Sequence, residues 1–328
     1  MTQQPGLTPN GGGSLLRPRR PQPLPPGLAG LDRAAVMGIC NVTPDSFSDG
    51  GRHFALADAL DHCQAMLADG ADLIDVGGES TRPGAGRLDQ AEELRRVIPL
   101  VKELAAGAVA VSIDTMRASV AAAALEAGAL IVNDVSGGLA DPAMLAVMAD
   151  SGAVCVLMHW RGASDKMDAL DRYTDVVKEV AAELTARAQA AIKAGVKESA
   201  IVLDPGFGFA KSGSSNWPLL ANLDRLAQIG FPLLIGASRK RFLESAKGPS
   251  PRLASLGPAG RDDATAAVTT ASCLLGAWCV RVHAVAASAA ASRVAAAITA
   301  ARQPIAPPKS AVLAPSASIS RAGQGMIA

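Results

Sequence analysis

Residues 200–209 read Ala-Ile-Val-Leu-Asp-Pro-Gly-Phe-Gly-Phe, and residues 232–241 read Pro-Leu-Leu-Ile-Gly-Ala-Ser-Arg-Lys-Arg. In the first stretch an apolar run leads directly into Asp204, and in the second the apolar run ends at Ser238. Each run is too short for a helix, so each predicts a buried strand with polar side chains at its C-terminal end. The same arrangement recurs from residue 34 to residue 285, and this recurrence predicts the fold.

Eight apolar runs of this kind alternate with helical segments along the chain. Most are dense in Val, Ile and Leu, which is typical of parallel strands covered on both faces. The predicted strands are Ala34–Asn41, Ala71–Gly78, Val109–Thr115, Leu130–Val135, Ala153–His159, Ala200–Pro205, Pro232–Ser238 and Cys279–Val285. The predicted helices are Leu56–Ala68, Gln90–Leu104, Arg117–Ala127, Pro142–Ala149, Tyr173–Ala194, Asn216–Gln228, Asp262–Leu275 and Ala287–Ala301. Eight strand–helix units favour a single-domain α/β fold, the (β/α)8 TIM barrel.

Both ends of the chain differ in composition from the part between them. Residues 1–31 are rich in Pro, Gly and Gln, and residues 303–328 are again rich in Pro. This composition predicts disordered N- and C-terminal tails on either side of a catalytic domain at residues 32–302.

A doubly wound open sheet is the alternative architecture. Met37–Asn41 lacks the glycine-rich turn that dinucleotide-binding sheets carry after the first strand, which argues against it. The segment from Gly206 to Ser212 resembles a phosphate loop, but Ala210 precedes Lys211 where a Walker motif requires glycine.

Composition and charge exclude several classes of protein. The formal net charge of +1 provides no field to attract nucleic acid or an anionic membrane, so small-molecule partners are favoured. The longest uncharged stretch, residues 264–280, is shorter than the roughly 20 apolar residues of a membrane span. The five cysteines lack C-x-x-C spacing, and prolines occupy the place of a signal peptide's apolar segment. These features predict a cytoplasmic protein with reduced thiols, in which the strand cysteines serve for packing.

Polar residues follow every predicted strand, where a barrel of this kind has its active site. They are Asn41, Glu79, Ser80, Thr81, Arg82, Asp114, Asn133, Asp134, His159, Asp204, Ser238, Arg239, Lys240, Arg281 and His283. About half of such groups are expected to do no more than cap loops. Asp114, Asn133 and Asp204 offer acceptors suited to a flat heterocycle with amidine-like donors.

A second subset of these residues suits an anion. Arg82, Arg281 and His283 are residue types that bind phosphate or diphosphate, and Lys240 could reach either ligand part. No cysteine–histidine cluster has zinc spacing, so a metal held by Asn41 and phosphate oxygens would be Mg²⁺. Two glycine-rich stretches, residues 43–51 and 79–85, are expected to close over substrate, with plain connecting turns as the alternative.

Six motifs resemble those of the dihydropteroate synthase family of pterin-binding TIM barrels. They are Asn-Val-Thr-Pro-Asp-Ser-Phe-Ser-Asp-Gly-Gly at 41–51, Gly-Gly-Glu-Ser-Thr-Arg-Pro-Gly at 77–84, Ser-Ile-Asp-Thr at 112–115, Val-Asn-Asp-Val-Ser-Gly-Gly at 132–138, Leu-Asp-Pro-Gly-Phe-Gly-Phe at 203–209 and Ser-Arg-Lys at 238–240. The resemblance covers residues 34–300 in the family's order.

The resemblance implies a transferase of folate biosynthesis. Such enzymes join 4-aminobenzoate to 6-hydroxymethyl-7,8-dihydropterin diphosphate, are sulfonamide targets and are usually homodimers. The implied pterin-binding residues are Asp114, Asn133, Met158, Asp204, Lys240 and Arg281. The implied diphosphate-binding residues are Asn41, Arg82, Arg281 and His283, with Asn41 also the Mg²⁺ ligand. The implied aminobenzoate pocket comprises Phe47, Thr81, Pro83 and Ser238, and the implied catalytic residues are Asp114, Asp204, Lys240 and Arg82.

One position departs from the family pattern. The family usually reads Arg-Val-His-Asp-Val near the last strand, and here Ala284 replaces the aspartate. The missing carboxylate puts the orientation of His283 in question. Two alternatives to a dihydropteroate synthase remain. One is a related barrel that binds methyltetrahydrofolate in corrinoid methyltransferases, and the other is a paralogue that binds a pterin but does not catalyse the reaction. The Ala-rich predicted helices Asp262–Leu275 and Ala287–Ala301 offer surfaces for a second copy of the chain.

Overall fold

The structure is a computed structural model that describes residues 18–42, 51–79, 88–162, 167–246 and 257–302. Its eight strands are β1 (Ala35–Asn41), β2 (Leu73–Gly77), β3 (Val111–Asp114), β4 (Ile131–Asp134), β5 (Val154–Met158), β6 (Ile201–Asp204), β7 (Leu234–Ile235) and β8 (Cys279–Val282). The α-helices within these ranges are α1 (Gly51–Ala68), α2 (Gln90–Ala106), α3 (Ala118–Glu126), α4 (Met144–Ser151), α5 (Val176–Lys193), α6 (Gly213–Ala221), α7 (Leu223–Ala227), α8 (Asp262–Leu274) and α9 (Val285–Ala301).

The strands form one parallel sheet that closes on itself. Each strand pairs with its neighbours in the order β6-β5-β4-β3-β2-β1-β8-β7. Between β6 and β7, Leu203 pairs with Leu233, and its backbone N–H donates to the carbonyl of Pro232 at 2.9 Å. Together with the surrounding helices, this closure confirms the predicted (β/α)8 TIM barrel.

Two predicted elements differ from the structure. The seventh strand is only Leu234–Ile235, because the chain turns away from the sheet before Ser238. The helix predicted over Asn216–Gln228 is two helices, α6 and α7, which meet at Asn222. At this break the Asn222 side-chain amide donates to the carbonyl of Pro218 at 2.8 Å, in competition with the helical ladder.

The lower half of the barrel interior is an apolar plug. It is built from inward-facing residues of the strands, and Leu24, Leu28 and Leu31 pack beneath it. The strand members of the plug include Ala35, Met37, Leu73, Ile131, Val154, Val156, Val202, Leu234 and Cys279. Because the plug fills the N-terminal end of the barrel, polar side chains inside it are confined to the C-terminal end.

The part of the segment before β1 that the structure describes packs against the barrel, although it falls within the stretch that composition predicts to be a tail. Leu28 is 1% exposed, and the N–H of Gln22 donates to the carbonyl of Ser199 at 2.6 Å. The tail was predicted from the Pro- and Gly-rich composition of residues 1–31 as a whole, in which the three leucines beneath the plug carry little weight. The three leucines instead find an apolar surface that exists only once the barrel has closed.

The positions of the strand cysteines agree with the sequence-based expectation. Cys40, Cys155 and Cys279 are buried in strands, as predicted, and all five cysteines are free thiols. Among the helices in the described ranges, none combines the length and apolar character that crossing a membrane would demand.

Candidate active site

Side chains along a strand face the same way at every second residue. The residue two positions after each plug residue therefore also faces into the barrel, one layer closer to its C-terminal end. On β2 the residue two positions after Leu73 is Asp75, and on β8 the residue two positions after Cys279 is Arg281. The same step leads from Ile131 to Asn133, from Val156 to Met158, and from Val202 to Asp204. Four of these five residues, all except Asp75, are therefore predicted pterin-binding residues.

Arg281 links carboxylates on two neighbouring strands. Its Nε donates to Asp75 Oδ2 at 2.5 Å, and its Nη2 donates to Asp114 Oδ2 at 2.6 Å. Asn133 Nδ2 also donates to Asp75 Oδ2, at 3.1 Å. The predicted residues Asp114, Asn133 and Arg281 therefore form one network, and Asp75, which the sequence analysis missed, joins them.

Asp204 ends β6 and turns toward the same space. Its Oδ1 accepts a hydrogen bond from the N–H of Gly206 at 2.7 Å. Gly206 has φ +68°, and a Cβ there would lie 2.6 Å from the carbonyl of His159 and 3.3 Å from Met158 Cγ. Only glycine fits this turn, which brings Met158 beside the loop that follows Asp204.

Lys240 reaches the site from the segment after β7. Its Nζ lies 3.8 Å from the ring centroid of Phe209, a cation–π contact. Its stem passes so close to Gly208 that a Cβ there would lie 2.8 Å from Lys240 Cδ. The ammonium group interacts electrostatically with Asp204, Asp114 and Arg281. We refer to Asp75, Asp114, Asn133, Asp204, Lys240 and Arg281 as the polar cluster.

Burial moves the protonation equilibria of the polar cluster toward neutral pH. Burial raises the pKa of Asp114 to about 7 and that of Asp204 to about 6, although Arg281 acts in the opposite direction on both. Burial lowers the pKa of Lys240 to about 8. For Arg281 burial acts to lower the pKa, but the carboxylates of Asp75 and Asp114 outweigh it and raise the pKa. Perturbations of this kind are typical of functional sites.

Lys211 fixes the loop between β6 and α6. The lysine is 7% exposed, and its Nζ donates to the carbonyls of Gly206 and Phe209, both at 3.0 Å. The same nitrogen lies 2.9 Å from His159 Nδ1, and His159 Nε2 lies 2.9 Å from Glu183 Oε2. His159 was a candidate site residue because it follows a predicted strand. In the structure both of its ring nitrogens contact other side chains, Lys211 and Glu183, so His159 helps to hold the loop. In the sequence, Lys211 stood out only as part of the stretch from Gly206 to Ser212, which resembles a phosphate loop but lacks the glycine of a Walker motif.

Ser238 and His283 meet at the ends of β7 and β8. Ser238 Oγ lies 3.0 Å from His283 Nδ1 and accepts a hydrogen bond from the His283 N–H at 3.1 Å. Ala284 occupies the N-cap of α9 and provides no side-chain cap. An aspartate at this position is a preferred N-cap residue, so the departure from the family pattern removes a helix cap. His283 is held through Ser238.

Asn41 lies at the end of β1, close to Asp114. A Cβ on Gly77 would stand 3.5 Å from Asn41 Oδ1 and 3.7 Å from Asp114 Oδ2, so both oxygens line the same recess. Within the described ranges, no group of three or more His, Cys, Asp or Glu side chains forms a metal site. Asn41 could contribute one oxygen to a hard cation that takes its other ligands from substrate and water.

Four predicted site residues, Phe47, Thr81, Arg82 and Pro83, lie outside the described residues.

Arg117 joins the residues that flank the 80–87 segment. Its Nη1 donates to Glu79 Oε2 at 2.5 Å and also to Glu93, and its Nη2 donates to the carbonyl of Leu88. Arg117 was not predicted as a site residue because the sequence placed it at the start of the predicted helix Arg117–Ala127 and not at the end of a strand.

Known proteins similar to this chain agree with one another. The family model described as pterin binding enzyme matches residues 37–283. Dihydropteroate synthase of Mycobacterium leprae (strain TN) is 53% identical over 267 residues, which cover 79% of this chain and 91% of that relative. The Streptococcus pyogenes serotype M1 dihydropteroate synthase is 46% identical over 251 residues, covering 76% and 90%.

Solved structures give the same result. A Xanthomonas albilineans dihydropteroate synthase with 4-aminobenzoic acid has a TM-score of 0.75 and 44% identity, and the match covers 83% of this chain and 95% of that one. The Yersinia pestis dihydropteroate synthase with a sulfonamide drug complex has a TM-score of 0.75 and 38% identity, covering 83% and 98%. The chain belongs to the pterin binding enzyme family and, within it, to the dihydropteroate synthases.

Proposed function

We propose that the chain joins 6-hydroxymethyl-7,8-dihydropterin diphosphate to 4-aminobenzoate, giving 7,8-dihydropteroate and diphosphate. The observation that supports this most strongly is the polar cluster. Asp114, Asn133 and Asp204 surround one recess with acceptors, and Arg281 and Lys240 lie among them. A pterin is a flat ring whose amino and ring N–H groups are donors to such acceptors. The related Xanthomonas albilineans enzyme was solved in complex with 7,8-dihydropteroate.

The reaction replaces a C–O bond at the pterin methylene by a C–N bond. The C–O bond breaks first, its electron pair leaves with diphosphate, and positive charge develops on the methylene and the conjugated ring. The carboxylates of Asp114 and Asp204 would hold the ring and stabilise that charge. Arg281 does not oppose it, because its own charge is balanced by Asp75 and Asp114. The arylamine nitrogen then attacks the methylene and loses a proton to solvent water. Because the arylamine is itself the nucleophile, no side-chain nucleophile is needed.

The second substrate and the leaving group require the other predicted residues. Asn41, Arg82, Arg281 and His283 would bind diphosphate, and Phe47, Thr81, Pro83 and Ser238 would frame the aminobenzoate pocket. The Asn41 oxygen in the Gly77 recess suits Mg²⁺, which commonly takes one or two protein oxygens together with phosphate oxygens. When bound, Mg²⁺ neutralises charge on the departing diphosphate.

We further propose a homodimer in the cytosol. Val294 and Ile298 on α9 are 53% and 43% exposed, and they lie on one of the two helices expected to contact a second copy. The five free thiols suit a reducing compartment. Light scattering of Val294→Glu beside the unaltered chain tests the dimer, because a charge in that contact should favour the monomer.

Diphosphate release, measured with and without 4-aminobenzoate, tests the proposed reaction. We expect sustained release only when both substrates are present. Asp204→Asn and Lys240→Ala should each abolish it by weakening pterin binding, whereas Asp224→Asn on the exposed face of α7 should match the unaltered chain. Pterin binding without turnover would instead indicate a binding protein, and turnover at the unaltered rate in Asp204→Asn would contradict the assignment.

A further inference from the structure

Asp75 is a fully buried carboxylate in the middle of a strand, and the proposed reaction assigns it no contact with substrate. Its side chain is 0% exposed, one layer above the plug residue Leu73. Its Oδ2 accepts hydrogen bonds from Arg281 Nε and Asn133 Nδ2. Its Oδ1 accepts none from the part of the chain that the structure describes.

We propose that Asp75 is a positioning residue that sets which atoms of Asn133 and Arg281 face the pterin. The inference rests on the proposed function, since it concerns the ligand of the same site. It adds a determinant of ligand recognition that lies beneath the residues that would touch the ring.

The orientation of Asn133 follows from the chemistry of a carboxylate. An ionised carboxylate can only accept hydrogen bonds, so the group of Asn133 that faces Asp75 must be the Nδ2 amino group. The Asn133 Oδ1 therefore points away from Asp75. Asp75 in this way fixes Asn133 as an acceptor toward the ligand, the role that a ring with amino and N–H donors requires.

The orientation of Arg281 is fixed by two carboxylates. Nε is bound to Asp75 on β2, and Nη2 is bound to Asp114 on β3. Two hydrogen bonds from different nitrogens fix the plane of a guanidinium, as in bidentate pairs. With Asp114 alone, the guanidinium could rotate about a single contact, and the surface that it offers to a ring would vary.

Stability alone gives little reason to bury Asp75. Taking a carboxylate out of water costs several kcal/mol, and apolar residues of similar volume are often no less stabilising than a buried ion pair. The unpaired Oδ1 adds to that cost. A buried charge that is incompletely paired is better explained by the orientation that it imposes on its neighbours.

The test compares Asp75→Asn with the matched control Asp72→Asn. Asp72 accepts two hydrogen bonds from Arg33, at 2.6 and 2.8 Å, at the opposite end of the barrel. Each substitution therefore removes the negative charge from one aspartate–arginine pair and leaves the shape of the side chain nearly unchanged. Binding of 6-hydroxymethylpterin and of 6-hydroxymethyllumazine, in which a carbonyl replaces the ring amino group, is measured by fluorescence titration.

In Asp75→Asn we expect the Kd for the pterin to rise about tenfold, equivalent to about 1.4 kcal/mol. The preference for pterin over lumazine should fall at least about fivefold, because an unrestrained Asn133 can turn and donate to the carbonyl. The KM for 4-aminobenzoate should stay within twofold, and Asp72→Asn should match the unaltered chain throughout. A pterin Kd within threefold of the unaltered value, or an unchanged preference, overturns the proposal.

A second variant keeps the test decisive if Asp75→Asn does not fold. Arg281→Lys retains the positive charge but cannot bridge Asp75 and Asp114, so pterin binding should weaken while the preference over lumazine persists. Loss of that preference with Asp75 in place would overturn the proposal. Turnover by the unaltered chain separates the two hypotheses: its absence refutes the proposed reaction, whereas the ligand preferences alone decide the role of Asp75.

Discussion

Pterin affinity should depend on pH through Lys240, and the structure gives the size of the effect. Burial lowers the pKa of this ammonium to about 8, and it faces Asp204 and Asp114. If only the charged form of Lys240 binds, that form predominates at pH 7 and is lost as pH rises through 8. Between pH 7 and pH 9 this loss alone raises the Kd about tenfold, and the completed ionisation of Asp114 offsets it about twofold, which leaves a net rise of about fivefold.

The acidic side of the profile has the opposite cause. Asp114 and Asp204, with pKa values of about 7 and 6, must be ionised to accept hydrogen bonds, so affinity falls as they take up protons. Between pH 7 and pH 5 the Kd should therefore rise by more than about tenfold. Affinity should be highest between about pH 7 and 8.

The assay is a series of fluorescence titrations with 6-hydroxymethylpterin from pH 5 to pH 9.5, run in parallel on Lys240→Gln. The variant lacks the titrating ammonium, so its affinity should be weaker at pH 7 and change less than about twofold up to pH 9. If the alkaline fall persists in Lys240→Gln, it belongs to the ligand or to another group. That result would refute the role assigned to Lys240.

Four further substitutions, of which Gly230→Ala is a control, test the supports of the site. Gly208→Ala and Gly230→Ala both place alanine at positive φ and should each lose about 1 kcal/mol of unfolding free energy in denaturant titrations. Only Gly208→Ala should also weaken pterin binding, because its Cβ would lie 2.8 Å from Lys240 Cδ. A Cβ at Gly230 would have no atom within 4 Å. Equal pterin binding by the two variants would contradict this expectation. Lys211→Met removes the donor to the carbonyls of Gly206 and Phe209 and the contact with His159 Nδ1, so it should raise the pterin Kd at least about tenfold in the same titrations. An unaltered Kd would contradict the loop-fixing role. Ala284→Asp should cap α9 and raise the unfolding free energy by about 1 kcal/mol, a Tm increase of roughly 2–4 °C, and a lower Tm would show that the position is not a simple cap.

The residues at the strand ends were predictable because their placement depends on local pattern. A short apolar run in a parallel barrel has only one end at which polar groups can face a ligand. Asp114, Asn133 and Asp204 each end or nearly end such a run, and the structure brings them to one recess. Their convergence needs no information beyond strand direction and strand number.

Asp75 could not be found by that rule because it lies inside an apolar run, two residues before the strand ends. A single charge within Leu73-Ile74-Asp75-Val76-Gly77 was nonetheless a signal, since charged residues are seldom fully buried without a partner. The partner, Arg281, lies 206 residues further along the chain, so the pairing emerges only from barrel closure. The packing of Leu24 and Leu28 beneath the plug depends on closure in the same way.

A crystal structure of this chain with bound 7,8-dihydropteroate would show directly whether the polar cluster holds the pterin. We expect the bicyclic ring within hydrogen-bonding distance of Asp114, Asn133, Asp204 and Lys240, with the aminobenzoate part extending toward Ser238. A ring bound away from the polar cluster, or one that leaves the carboxylates of Asp114 and Asp204 without contact, would contradict it.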